Sequence, residues 1–416
     1  MTDLPILEGF DPLSQAFLAD PLPSLERARS ERPVLYVEEL GIWAITRYDD
    51  VARAYADFTT FSSALRNAPA IPERYADEVP ADFFPPIFMD RDPPEHTAIR
   101  KAANRIFRRP RIAAMEAHVQ AIVDELVDAF AGDGACDLVQ QLTYPLSARA
   151  SMALIGIPEA DLPRFEQLAE DLVAILPYQP GVPGQAISEA QWLERWERIV
   201  EARSYFRAMV QARVAEPQDD VASAFVHARD GDGQPIMSVE DTVSYMLLMI
   251  FAGTDTTASY IGLLVKLLCE HPDQLEAALA DPAVMANAVE EGLRRRASSL
   301  GSMRLVTRDV EVAGQTIPAG AQVWLVSTSA SNDERRFACP AHFDVHRENA
   351  GDHLAFGRGR HFCMGAPLAR LEAPLAVRTL WTRLPGFRLA PGQTLEYDPV
   401  FVTLLYNHLH VEWDAA

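Results

Sequence analysis

The chain has 416 residues, 49% of them apolar, and a formal net charge of −22 from 37 basic and 59 acidic side chains. That length suits two average domains or one large architecture, with ample apolar material for a core. So acidic a surface repels phosphate backbones and anionic lipid, which argues against nucleic-acid or membrane-surface binding.

The amino terminus, MTDLPILEGFDPLSQAF, has no basic n-region followed by an apolar h-region, so no signal peptide is expected. A short helical stretch is followed by PVLYVEE and IWAITRY, two β-rich runs separated by a glycine turn. Helical periodicity begins after Asp49, and a proline-rich segment runs from Ala68 to Pro94. Its aromatics Phe83, Phe84 and Phe88 fit either a wall facing a ligand or a core plug.

Helices dominate from Glu95 to Glu291. Pro180 to Gln185 reads as a surface loop in preference to a linker, because the next helix carries Trp192, Trp196, Ile199 and Val200 on one face. Ser238 and Asp241 form a capping-box pattern opening a long apolar helix through Leu268. Its most apolar part, Met246 to Gly253, is cut by Thr254 and Asp255 and is expected to be too short to span a bilayer. Short strands return beyond Arg304 (VEVAG, AQVWLV) and again at the carboxyl end. The expectation is one mainly helical domain over residues 1–416, with small β-sheets at its margins. Cys136, Cys269, Cys339 and Cys363 lack metal-type spacing, which fits the reduced thiols of a cytoplasmic protein.

The segment FGRGRHFCMG, Phe356 to Gly365, carries the chemistry. A thiolate ligand pushes electron density onto an iron that must cleave an O–O bond. Gly357, Gly359 and Gly365 can let backbone approach where a Cβ would collide, and amide donors can stabilise a charged sulfur. The string resembles the haem loop of the cytochrome P-450 superfamily, FGxGxHxCxG, at every defined position. The resemblance implies a P-450 fold holding haem b between two helices, with Cys363 as iron ligand. Phe356, Gly357, His361, Gly365 and Gly253 would then lie against the cofactor.

Three further patterns fit that family. AGTDTT, Ala252 to Thr257, interrupts the long apolar helix; a hydroxyl there can bond a carbonyl one turn earlier and bend the helix. The resemblance makes Asp255 and Thr256 the acid–alcohol pair that guides protons toward dioxygen. Glu291 and Arg294 sit at i, i+3 as an ExxR pair, which the family buries as scaffold; His342 is expected to be its third member. His96 and Arg100 lie one helical turn apart, a spacing of two donors that suits a carboxylate. By resemblance they bind haem propionates together with Arg304 and His361.

The likeness covers nearly the whole chain, and TFSS, DPPE, ACPAHFD and TRLPGFRLAPG look closest to the camphor-hydroxylase branch. Ser298 stands where many bacterial members carry Pro, and RRRASSLGSMR is one residue longer than its counterpart, so camphor itself is not the expected substrate. The Phe83–Met89 loop, Leu300 to Met303 and Val402 to Leu404 are expected to shape a pocket for a small apolar molecule, terpenoid or aromatic. The implied activity is insertion of one atom of O2. Rivals are a peroxide-driven peroxygenase, which needs no proton relay, and a non-catalytic haem-thiolate sensor or carrier. No GxGxxG follows a strand, so electrons are expected from a separate [2Fe–2S] ferredoxin and its reductase. The segment RKAANRIFRRPR, with Arg100, Lys101, Arg105, Arg108, Arg109 and Arg111 and no acid between them, is the expected docking patch.

Overall fold

The strands and helices cluster as the apolar periodicity dictates, and the computed structural model describes residues 4–65, 69–80, 90–165, 167–175, 187–397 and 402–414. The expectations for Phe83–Met89 and for Pro180–Gln185 fall outside these residues. Contacts divide the chain into two compact units, one of Met1–Ser63, Met115–Leu146 and Thr256–Ala416, the other of Ala64–Ala114 and Ser147–Asp255.

The first unit holds every described strand. Its main sheet runs in the order Val34–Val37, Ile42–Ile45, Gln322–Leu325, Ser302–Val306 and Phe61–Ser62. Neighbours pair antiparallel except Ile42–Ile45 with Gln322–Leu325, where Trp43 lies opposite Val323 in a parallel register. Ile42–Ile45 is buried along its whole length, as a central strand covered on both faces should be. Helix Tyr48–Ala56 packs Val51, Ala54 and Tyr55 into the same apolar cluster as Ile45, Val323 and Phe337. A second sheet pairs His410–Glu412 with Ala135–Asp137 and with Arg388–Leu389, and Val310–Val312 with Gln315–Ile317 forms a hairpin.

The second unit is helical. Leu168–Ile175 lies against the 27-residue helix Glu189–Ala215, which buries Trp192, Trp196 and Ile199 as its periodicity predicts. Asp171 is wholly buried between them and accepts hydrogen bonds from Arg195 at 2.9 Å and from both ends of the Arg198 fork at 2.7 Å. A buried carboxylate persists only when so paired.

One helix, Val239–Glu270, supplies residues to both units. Its capping box forms as expected: the Ser238 hydroxyl accepts from the Asp241 amide at 3.0 Å, and the Asp241 carboxylate accepts from the Ser238 amide at 2.8 Å. The helix ends at Glu270, close to the expected Leu268, but the expectation that it is too short for a bilayer does not hold. The helix runs through the polar residues and by length and composition could cross a membrane, but 67% of its most apolar window is buried inside the protein. That burial makes it a core helix.

Candidate functional site

The cysteine loop is built in the first unit, immediately before helix Ala366–Arg383. Gly357 and Gly359 have φ of +67° and +75°, the left-handed region that costs a side-chain-bearing residue most. A Cβ on Gly359 would also stand 2.9 Å from the Tyr55 carbonyl oxygen. The Cys363 amide donates to the Phe356 carbonyl at 2.9 Å and closes the loop. Gly365 differs: its φ is −71°, and a Cβ there would meet only the Cys363 sulfur, at 3.8 Å. The chain's own atoms do not demand glycine at that position. Cys363 is exposed where the loop closes, beside Phe362, itself an exposed apolar side chain.

Arg304 comes from the main sheet, opposite Val323. It is buried, donates to the Met303 carbonyl at 2.7 Å and lies 5.4 Å over the Tyr55 ring. His361, two residues before the cysteine, is half-buried. A thiol, an apolar surface and cations suit an apolar macrocycle that carries a metal and two carboxylates, so these residues fit haem.

In the second unit His96 and Arg100 sit on helix Glu95–Ala103, His96 buried and Arg100 half-buried. The Arg100 Nε donates to the Asn104 side chain at 2.9 Å, a contact one turn on that the motif did not suggest. On the long helix, Ala252 is exposed and Gly253, Asp255 and Thr256 are half-buried, while Met246–Leu248 and residues 258–265 are buried. The helix is thus accessible at the acid–alcohol stretch and closed on either side. Gly253 allows a close approach, since a Cβ there would fall 2.4 Å from the Ser151 hydroxyl.

The ExxR pair is buried, as the resemblance implied: Glu291 and Arg294 are both 0% exposed and joined at 2.7 and 2.9 Å. Its third member is Arg347 and not His342. The Arg347 Nε donates to both Glu291 oxygens at 3.1 Å, whereas His342 offers only its carbonyl to the two arginines. The Arg347 guanidinium meets Glu291 with Nε while its other two nitrogens donate to the Ala338, Cys339 and His342 carbonyls, more donors than an imidazole carries.

A second network went unread in the sequence. Glu290 accepts two hydrogen bonds from Arg370, at 2.6 and 2.8 Å, and one from His353 at 3.2 Å. The His353 Nδ1 accepts from the Ala355 amide at 3.1 Å, so the ring carries its proton on Nε2 and donates it to Glu290. Arg370 lies 4.7 Å over the ring of Phe356, the first residue of the cysteine loop. The signal available was the Glu290–Glu291 doublet: consecutive helical side chains point about 100° apart, so each serves a different network.

Burial alone would raise the Glu290 carboxyl, but hydrogen bonds from Arg370 and His353 and the charge of Arg370 outweigh it and hold the group at about 2, against an ordinary 4.5. A depressed carboxylate stabilises the fold above its unfolded pKa and loses that contribution as pH falls towards the folded value, here on the order of 3 kcal/mol between about pH 5 and 2. Glu290→Gln should therefore show a shallower fall of Tm between about pH 5 and 3 than the parent. Parallel slopes would show Glu290 not to be the titrating group.

Leu300 and Leu404 are wholly buried in the protein's core, so of the expected pocket wall Ser302, Met303, Val402 and Thr403 keep accessible surface. The structure does join these segments, through Leu300 N to Val402 O at 2.8 Å and a bridge between Ser299 and Thr403.

Fold and site together define the class, a mainly helical haem-thiolate protein with small sheets. The sequence profile named Cytochrome P450 matches residues 85–391. Cytochrome P450 monooxygenase PikC of Streptomyces venezuelae is 35% identical over 409 residues, covering 96% of this chain and 93% of that protein. The 6-deoxyerythronolide B hydroxylase of Saccharopolyspora erythraea is 32% identical over 396 residues, covering 94% and 93%. Among solved structures, P450BioI in complex with a hexadec-9Z-enoic acid-ligated acyl carrier protein superposes with TM-score 0.83 at 27% identity, covering 96% of this chain and 99% of that one. The chain belongs to the cytochrome P450 family. It is a monooxygenase, and its cofactor is haem b. None of these three likenesses bears on the camphor-hydroxylase branch.

Proposed function

We propose that the chain acts as one P450 domain in the cytoplasm and hydroxylates a small apolar organic substrate, terpenoid or aromatic, using electrons from a separate [2Fe–2S] ferredoxin and its reductase. The observation that carries the reading is the Phe356–Gly365 loop, which turns on left-handed glycines and closes at an exposed Cys363. Haem, when bound, supplies the iron centre at which dioxygen is reduced. Overall, substrate C–H, O2, two electrons and two protons give alcohol and water.

The chain's own residues do the rest. Cys363 ligates the iron through its thiolate, and Phe356, Gly357, Gly365 and Gly253 line the cofactor. His96, Arg100, Arg304 and His361 hold the propionates. Thr256 presents a hydroxyl at Oγ1, and Asp255 supplies its proton from the half-buried carboxyl beside it. Thr256→Ala should leave haem and substrate binding nearly intact while NADH electrons emerge as hydrogen peroxide instead of product. Unchanged coupling in that variant would make Thr256 a packing residue. The same assay separates the rivals: a peroxygenase would turn over on peroxide without ferredoxin, and a sensor would not turn over at all.

Substrate size has a direct test. The named relative hydroxylates 6-deoxyerythronolide B, and P450BioI was solved with an acyl carrier protein. A shift of the Soret band on adding compact terpenes or arenes, and none with macrolactones or acylated carrier protein, supports the compact class; the opposite pattern overturns it.

Lys101, Arg105, Arg108 and Arg109 are exposed and have no ion-pair partner among the described residues, while Arg111 is engaged by Asp219 at 2.6 Å and leaves the patch. Unpaired cations on so acidic a chain form a local field that steers an acidic donor. Reversing Arg105 and Arg108 to Glu should slow ferredoxin-driven reduction and flatten its salt dependence, with substrate affinity unchanged. Parent-like rates at low ionic strength would place docking elsewhere.

A further inference from the structure

Ser298 is buried, and its hydroxyl donates to the backbone carbonyl of Thr256 at 2.7 Å. We infer that Ser298 is a positioning residue for the proton relay, tethering the acid–alcohol turn of the long helix to a rigid strap; this rests on the relay role proposed for Thr256.

The strap is residues 298–300, and it is fixed on two sides. Ser298 O accepts from the Leu404 amide at 2.6 Å, and the Leu300 amide donates to Val402 O at 2.8 Å. On the other side the Thr328 amide donates to Leu300 O at 3.1 Å and the Thr328 hydroxyl to Ser299 O at 3.3 Å. The strap therefore does not follow the helix; the helix turn is referred to the strap. Within Val239–Glu270 the Thr256 carbonyl already faces the amide of Tyr260 one turn on. A carbonyl oxygen has two lone pairs, and Ser298 takes the second. The bond is short and its donor is buried, conditions that help a hydrogen bond hold its geometry.

The consequence concerns Thr256 itself. Its side chain leaves the same Cα whose carbonyl Ser298 grips, so the direction of Oγ1 depends on that peptide plane. The stretch from Ala252 to Thr256 keeps accessible surface, whereas residues 258–265 that follow it are buried. A turn that drifts by part of an ångström still binds haem and substrate but misdirects a proton, because proton transfer needs hydrogen-bond reach and alignment.

Ser298→Ala and Ser298→Thr holoenzymes, beside Thr256→Ala, test this. Haem content and the ferrous–CO band should match the parent in both Ser298 variants. Deuterium uptake by the peptide spanning 252–262 should be faster by about fivefold in Ser298→Ala, the equilibrium factor for one ordinary hydrogen bond. The product formed per NADH should fall in that variant with little change in substrate affinity, and Ser298→Thr, which keeps the hydroxyl, should restore both. If Thr256→Ala uncouples but Ser298→Ala stays coupled, whatever its exchange rate, Ser298 is only structural and the inference is overturned while the relay stands. If Thr256→Ala itself stays coupled, the relay reading falls and takes this inference with it.

Discussion

Glu291→Ala is expected to cost roughly 3–5 kcal/mol and to give protein that expresses poorly and does not retain haem. The reason is what truncation leaves behind. Glu291 takes hydrogen bonds from Arg294 at 2.7 and 2.9 Å, from Arg347 at 3.1 Å to each oxygen, and from the Asp344 amide at 3.1 Å. All three ionic side chains are at most 8% exposed. Without the carboxylate, two guanidinium groups remain buried with carbonyls for company: Ser331 and Pro340 for Arg294, Ala338 and His342 for Arg347. Carbonyls satisfy the N–H groups but not the charge. A domain stable by only about 5–15 kcal/mol cannot absorb such a loss and keep a margin. The damage reaches the site because Arg294 and Arg347 hold the 338–342 segment in place, and the chain runs from Arg347 to the cysteine loop within a dozen residues or so. Urea unfolding and haem per polypeptide are the measurements. A haem-loaded variant with the parent's midpoint would show that the charges relax into solvent.

The parts of this molecule that were legible in its sequence are the local ones. The cysteine loop declares itself because its glycines, histidine and cysteine lie within ten residues and their roles are set by backbone conformation at Gly357 and Gly359. The capping box at Ser238 and the two first strands are local in the same sense. What stayed hidden depends on long separations. His342 looked like the third scaffold residue by its position in ACPAHFD, yet it is Arg347 whose Nε reaches both Glu291 oxygens. Arg111 read as a free cation until Asp219, 108 residues away, was found beside it. Leu300 and Leu404 read as pocket wall because they are apolar, but apolar residues look alike in sequence whether they face a ligand or the core. The parallel pairing of Ile42–Ile45 with Gln322–Leu325 has no local signature at all. Thr254 and Asp255 break the longest apolar run without ending the helix, so the helix as a whole is long and apolar enough for a span where the run alone is not; hydroxyls and a half-buried acid are tolerated inside a helix whose flanking turns are packed.

Cys363→His is expected to abolish the thiolate-type ferrous–CO band from which the family takes its name, while single alanine replacements of Cys136, Cys269 and Cys339 leave it in place. Burial pushes the Cys136 thiol up to about 12, with the nearby Asp137 and Asp133 adding to the shift. Burial likewise raises Cys269 to about 12. Neither is a thiolate near neutral pH, and only the thiolate is a metal ligand. Cys339 is exposed, but its segment is committed elsewhere: its carbonyl accepts from the His342 amide at 3.0 Å and from Arg347 at 3.3 Å. Cys363 alone sits on a loop closed by left-handed glycines, its amide tied to the Phe356 carbonyl and the ring of Phe356 stacked under Arg370. Replacement by His keeps a metal-binding side chain and can retain haem, which makes the loss of the band a statement about sulfur and not about an empty protein. Haem content measured on the same sample provides that control. A thiolate-type spectrum in haem-loaded Cys363→His would move the axial ligand to another cysteine, and Cys339 would be the one to replace next.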